Sequence, residues 1–477
     1  MPQPQKAERP DWSQGQEPRT ASEAQTLLPS ASGRDKGTKL LKPNGDPAVT
    51  LEAVLEKRNL QRAFKQVVAN KGSAGIDGME VGELADWCRR HPGEITESVR
   101  RGTYKPQAVL RVLIPKEEKG KFRPLGIPTV IDRFVQQAVA QVLSASYEEV
   151  FSDASHGFRP GRSCQSAIDQ CLGHANEGYR WVVDLDLAKF FDTVNHSKLL
   201  QVLSERVKDG RVISLVNKFL RAPVRDGDTE AVNELGTPQG GCISPVLANI
   251  LLNELDHELE ARGHRFVRYA DDMMILCRSR KAAERTLRAI KPFIEGKLFL
   301  RLNEQKTKVC SITDPDLKFL GFGFFAVRNP EGGAPIVKSR PHQKSQKKFK
   351  AALKQATSRS RGQSLETFRT KTAQIVRGWV TYFRNGSMKT FLRDLSQWYR
   401  RRIRQLYWKQ WKKVSTKFRA LMKLGVSRQK AWEWANTRKS YWHTANSWVL
   451  ATTLTTKMLE SVGWITPDRM YARLSRA

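Results

Sequence analysis

Two adjacent aspartates interrupt a short apolar segment at residues 265–279, RFVRYADDMMILCRS. Phe266, Val267 and Tyr269 before them, and Met273, Met274, Ile275 and Leu276 after them, have strand character, which places Asp271 and Asp272 at the turn of a hairpin. A carboxylate pair against a buried sheet is costly unless a cation neutralises it. The segment therefore requires either a metal-dependent site or a turn open to water, and the letters YADD alone leave both readings standing.

The charge balance points to a partner. Across 477 residues, 82 Lys and Arg stand against 48 Asp and Glu, a formal +34. Such an excess repels itself in the free protein and suits a polyanion, since each phosphate contact releases condensed counterions. Nucleic acid fits better than an acidic membrane, because the cations are spread along the chain rather than gathered beside an apolar anchor. No run reaches the roughly 18 to 20 apolar residues a spanning helix needs, and the start, MPQPQKAERPDWSQGQEPRT, lacks the apolar core of a secretory signal. The expectation is no membrane and a protein that stays where it is made. The six cysteines, at 88, 164, 171, 242, 277 and 310, include no C-x-x-C pair and no histidine at zinc-ligand spacing. Reduced thiols and no zinc are expected.

Residues 1–48, rich in Pro, Gln, Ser and Gly, bury too little to repay ordering and read as a flexible basic tail. LEAVLEKRNLQRAFKQVVAN, from Leu51, has apolar residues at helical spacing, and KGSAGIDG breaks it. VLRVLIPKEEKGKFRPLGIP reads as a hairpin carrying Lys116, Lys121 and Arg123. A helix is expected over 131–147, then the Gly/Arg loop SHGFRPGRS running into another helix. An apolar strand is expected in WVVDLDLAKFFDTVNH (181–196), and one amphipathic helix over 199–220. Strands and helices alternate without a parallel βαβ rhythm, so the fold class is α+β. Beyond residue 330 the composition shifts to basic helices set with Trp and Tyr. Most of those aromatics suit helix packing, while the basic faces around them suit a nucleic-acid clamp.

A second acidic cluster joins the first. WVVDLDLAKFFDTVNH carries Asp184, Asp186 and Asp192, and Asp186 lies 85 positions before Asp271 (271 − 186 = 85). Metal-dependent phosphoryl transfer needs carboxylates from separate elements converging on two ions about 3.5 to 4 Å apart, and oxygen ligands favour Mg²⁺. Between the clusters, GTPQGGCISPVLANILLNELD begins with a Gly/Pro loop that brings bare backbone near a ligand and ends as an apolar helix.

In order, RPLGIPTVIDR, HGFRPGRS, DLDLAKFFDTVNH, TPQGGCISPVLANILLNELD, RYADD, LNEQKTKV and LKFLGF resemble the successive blocks of reverse transcriptases encoded by bacterial group II introns. GWVTYFR resembles their thumb, or maturase, domain, and WANTRKSYW the short DNA-binding segment after it. The resemblance covers roughly residues 51–477 and implies a right-hand polymerase with an antiparallel palm sheet, a helical thumb and a small helical C-terminal segment. The implied divisions are a fingers extension at 49–110, fingers and palm at 111–330, thumb at 331–420 and a DNA-binding segment at 421–477.

On individual residues, the resemblance makes Asp186, Asp271 and Asp272 the ligands of two Mg²⁺ ions. Asp184 and Asp192 then read as a strand-edge charge and a helix N-cap. It sets Phe191 against the sugar of the incoming nucleotide, where its bulk would clash with a 2′-hydroxyl. It makes Lys116 and Arg123 the cations that grip the triphosphate, with Lys121 a helper or a solvated charge. Gln239, beside Pro238 and Gly240, packs near nucleotide and template, and Lys306 could protonate the leaving pyrophosphate.

The implied partners are intron RNA, an RNA template with a DNA or RNA primer, dNTPs and target DNA, in a bacterial cytoplasm and on the nucleoid when acting on DNA. A maturase role in splicing and retrohoming accompanies the polymerase. The alternative is a freestanding reverse transcriptase of the same lineage serving host defence or repair. The chain shows no Cys/His-rich nuclease module, so priming from existing DNA ends, such as replication-fork strands, is expected in place of second-strand cleavage. Nothing in the sequence sets an oligomeric state.

Overall fold

A computed structural model describes residues 49–475, apart from 116–119, 121, 228 and 239. The basic tail, Lys116, Lys121 and Gln239 therefore lie outside the described residues. The chain divides into two compact units, one ending at Val150 and resuming over Lys189–Leu251, the other made of Phe151–Ala188 and Leu252 onward.

In the first unit, the helical string after Leu51 forms two helices, Leu51–Leu55 and Lys57–Asn70. Thr50 caps the first through Ala53 N, and the second ends at Lys71 in the left-handed conformation. They pack on the helix Val130–Tyr147, where buried Asn59 donates to the Val54 and Ala138 carbonyls at 2.8 and 3.0 Å. The expected hairpin is present: β1 (Val109–Pro115) pairs antiparallel with β2 (Phe122–Ile127), with Arg123 opposite Ile114. β4 (Val224–Asp226) joins β1 in parallel, and β5 (Thr229–Ala231) completes the order β2-β1-β4-β5.

The helix expected over 199–220 is two helices, His196–Arg206 and Gly210–Leu220. Val207 turns extended, and Asp209 caps the second by accepting from Arg211 N. The strand expected over 181–196 is β3 (Trp181–Leu185) followed by a short helix, Phe190–Thr193. Its cap position is the left-handed Lys189, so Asp192 is not an N-cap. Asn195 caps the following helix instead.

The second unit is built on an antiparallel sheet ordered β6-β7-β3-β8, with β6 (Arg265–Tyr269), β7 (Asp272–Cys277) and β8 (Lys308–Ser311). Apolar residues of this sheet, Val182, Val267, Met274 and Leu276, share one core with Ile168 and Cys171 of the helix Cys164–Asn176. The same core continues through Phe322 and Phe324 on β9 (Phe322–Val327), which pairs with β10 (Ile336–Pro341), and into the C-terminal helices. Those helices are Gln343–Ala356, Leu365–Tyr382, Lys389–Gln410 and several shorter ones.

Most aromatics there do pack: Trp408, Tyr399 and Trp464 are buried, and Trp379 stacks on Phe349 at 4.2 Å. Trp432 and Trp448 stay exposed. An antiparallel sheet beside a helical C-terminal region gives the α+β arrangement. Among the described residues, no helix is long and apolar enough to cross a membrane.

Candidate active site

The hairpin register pairs Val267 with Met274, Arg268 with Met273 and Tyr269 with Asp272. Two residues, Ala270 and Asp271, are left to make the turn, and Ala270 takes a left-handed φ of 58°. Both aspartates thus emerge at one end of a sheet whose interior is Met273, Met274 and Ile275.

β3 lies between β7 and β8, so Asp184 sits on an interior strand and is not an edge charge. Its pairs are Met274 on one side and Lys308 on the other. Burial pushes its carboxyl up to about 6, while the Lys308 ammonium opposes the rise and Asp186 adds to it. Asp186, two residues on, falls on the same face as Asp184 by strand alternation.

Asp186 is held by the turn that LNEQKTK makes. Its backbone N–H donates to Thr307 Oγ1 at 3.2 Å, and its carbonyl accepts from Asn303 N at 2.9 Å. Its carboxylate accepts from Asn303 Nδ2 at 2.8 Å and has Lys306 Nζ 3.5 Å from Oδ2. Lys306 is otherwise largely exposed, its side chain keeping 66% of its accessible surface.

Asp272 reports the crowding of negative charge. Although it keeps accessible surface at the mouth, its carboxyl is pushed up to about 7. Displacement of water by surrounding protein contributes most, followed by the charges of Asp271, Asp186 and Asp184. The charges of Asp271, Asp186 and Asp184 thus raise the cost of ionising Asp272. Among the described residues, no three His, Cys, Asp or Glu side chains stand ready-made as a metal cage. The donor chemistry nonetheless fits a hard divalent cation: the oxygens are anionic, mutually repelling, and partly answered by the Lys306 ammonium.

Other expected site residues belong to the first unit. Phe191 is half-buried and meets Phe190 edge-on at 5.1 Å. Its carbonyl accepts from Thr237 N at 2.7 Å, and Val194 O accepts from Gly236 N at 2.8 Å, so the loop before Pro238 is tied to the Phe191 segment. Gly240 has φ 124°, and a Cβ on it would stand 2.3 Å from Gly126 O at the end of β2. Only glycine permits that approach. Arg123 is half-buried on β2. Sequence reading missed Asn303, Thr307 and Lys308. Their block, LNEQKTKV, was visible, but nothing local ties it to residues more than a hundred positions earlier.

The model of the reverse transcriptase (RNA-dependent DNA polymerase) domain matches residues 114–324, and that of the group II intron maturase-specific domain matches 346–425. The group II intron-encoded protein LtrA of Lactococcus lactis subsp. cremoris is 31% identical over 324 residues, 54% of this chain and 54% of that one. The chain thus spans about half the length of that relative. Protein YkfC of Escherichia coli strain K12 is 32% identical over 353 residues, 65% of this chain and 92% of that one. A putative COX1/OXI3 intron 2 protein of Saccharomyces cerevisiae is 34% identical over 235 residues, 46% of this chain and 26% of that one. The polymerase match encloses the acidic hairpin and the strand that faces it, and the maturase match falls on the helices that extend the same core. On these grounds the chain belongs to the group II intron-encoded reverse transcriptase/maturase family.

Proposed function

We propose that this chain is the RNA-directed DNA polymerase of a group II intron, copying intron RNA into DNA and binding that RNA to assist its splicing and retrohoming. What carries the reading is one chain in which a polymerase match that encloses the acidic hairpin is followed by a maturase-specific match. Residues 49–110 then form a fingers extension, 111–330 the fingers and palm, 331–420 the thumb and 421–477 a DNA-binding segment.

Asp186, Asp271 and Asp272 would hold the two Mg²⁺ ions of this family, which supply activation of a primer 3′-hydroxyl and charge relief on the leaving oxygen. The chain's own contributions are more particular. Asn303 and Thr307 fix the rotamer and backbone of Asp186, so its carboxylate is aimed before substrate arrives. Lys306, whose Nζ lies against Asp186, is the group to give a proton to the departing pyrophosphate. Arg123, with Lys116, takes the triphosphate, and Phe191 excludes a 2′-hydroxyl. Gln239, Pro238 and Gly240 lie against nucleotide and template. Sequence is read by the template, so the +34 charge serves backbone contact with RNA template, primer and target DNA.

Two experiments test the reading. Primer extension on an RNA template with Mg²⁺ should be abolished by Asp271→Ala, and a variant that extends as well as wild type removes the site assignment. Splicing of the surrounding transcript at near-physiological Mg²⁺ should depend on the purified protein. Intact extension without protein-dependent excision would instead mark a polymerase with no intron role.

A further inference from the structure

The Ala270–Asp271 turn rests on a segment with no role in the chemistry above. A Cβ on Gly157 would stand 2.3 Å from the Ala270 amide nitrogen and 3.0 Å from the Tyr269 carbonyl carbon. The HGF backbone therefore lies directly on the turn. It is also stitched to β6: Arg268 N donates to Ala154 O and His156 N to Arg268 O, each at 2.8 Å, with Ser155 and Arg268 bridged in parallel. The segment is fixed in turn by the His156 ring, whose Nδ1 meets Ser166 Oγ at 2.8 Å and whose Nε2 meets Gln170 Oε1 at 2.5 Å on the helix Cys164–Asn176.

A second restraint comes from the Arg268 side chain. Its guanidinium is buried, with Nε 2.7 and 3.0 Å from the two carboxylate oxygens of Asp256, and its Nη1 donates to Ala270 O at 3.1 Å. A non-glycine residue at positive φ is strained and persists only where its surroundings over-determine it. Ala270 is over-determined from two directions, by a bare backbone packed on its N–H end and by a guanidinium on its carbonyl.

We propose that Gly157 and Arg268 are positioning residues that fix the Ala270 peptide in its left-handed conformation and so aim Asp271 and Asp272. The proposal rests on the reading of Asp271 as a catalytic residue. Arg268 acts through geometry, since its charge is spent on Asp256. Gly157 acts by having no side chain.

The test uses the full chain in single-nucleotide addition to a DNA primer on an RNA template, with kcat, KM for dNTP and melting temperature measured together. Mn²⁺ binding by electron paramagnetic resonance adds a readout independent of turnover. Gly157→Ala puts a methyl where the Ala270 amide sits. Arg268→Lys keeps the charge on Asp256 but loses the planar fork that also reaches Ala270 O.

In both folded variants kcat should fall by roughly 10²-fold, the scale of about an ångström of misplacement. KM for dNTP should hold, Mn²⁺ binding should weaken, and the melting temperature should fall by a few degrees, the cost of the disturbed contacts, while staying above the assay temperature. A kcat within about twofold of wild type, or a loss no larger than the unfolded fraction explains, overturns the proposal. If Gly157→Ala does not fold, Arg268→Lys decides; if neither folds, these residues are ordinary core and the proposal fails. Asp271→Ala runs alongside: activity retained there overturns the site reading and this proposal with it, whereas its loss beside normal Gly157→Ala and Arg268→Lys overturns positioning alone.

Discussion

Replacing Arg268 by Met keeps most of the side-chain volume and removes the charge from a pair that is 1% and 0% exposed. The Asp256 carboxylate is then buried without its partner. Burial already pushes its pKa up, and the guanidinium is what opposes the rise. Breaking one side of such a pair costs about 3–5 kcal/mol, because the survivor keeps its desolvation penalty. The lost hydrogen bond to Ala270 O adds about 0.5–1.5 kcal/mol. At about 2–4 °C per kcal/mol for domains of this size, the melting temperature should drop by roughly 7 to 26 °C. Asp256 can escape part of the cost by taking up a proton. In the variant, therefore, the deficit should be smallest near pH 4 and grow as the pH rises.

The double variant Arg268→Met/Asp256→Leu removes both charges and should return to within about 2 kcal/mol of wild type. Thermal and urea unfolding of the single and double variants at two pH values provide the measurement. A single variant costing under about 1 kcal/mol, or a double variant as unstable as the single, refutes the reasoning.

Three further outcomes are expected. With Asp272 raised from 3.8 to about 7, its ionisation opposes folding of the metal-free protein, a penalty absent below the unfolded value and complete above about 7. Asp272→Asn should therefore melt above wild type in EDTA at pH 8, with the gap closing towards pH 4, and identical melting at pH 8 contradicts the charge-crowding account. Asn303→Ala removes a charge-assisted hydrogen bond to Asp186, about 1.5–3 kcal/mol, and should lower kcat roughly ten- to a hundredfold in primer extension; a change confined to template binding would reject the cradle. If, as proposed, Phe191 excludes a 2′-hydroxyl by its bulk, Phe191→Ala should raise rNTP incorporation relative to dNTP by roughly tenfold or more, and an unchanged ratio would remove Phe191 from the sugar pocket.

What could be read from sequence followed local periodicity. The RYADD hairpin was legible because apolar residues flank two polar ones in strand rhythm, and its register follows once the turn holds two residues. The β1–β2 hairpin was legible for the same reason. The errors came where one local signal outweighed another or where contacts were distant. The extended Val207 splits a helix that periodicity had joined, although Asp209 was a cap signal in plain view. Asp192 followed a strand and looked like a cap, but the left-handed Lys189 had already opened the turn. Asp184 reads as an edge charge in sequence because strand order in a sheet is not sequence order, and β3 in fact lies inside it. The Asn303–Asp186 bond spans 117 positions and the Arg268–Asp256 pair depends on a helix meeting a strand, and neither leaves a trace in any short window.

The crossing of β3 between β7 and β8 also matters while the protein is being made. Asp186 leaves the ribosome 85 residues ahead of Asp271 and 122 ahead of Lys308 (308 − 186 = 122). At about 5–20 residues per second, those gaps last roughly 4–17 and 6–24 seconds. Until they close, the strand bearing Asp186 has neither neighbour, and the carboxylates are scattered along an unfinished chain. The acid cluster and the lysines that answer it are therefore completed only once translation has passed Lys308.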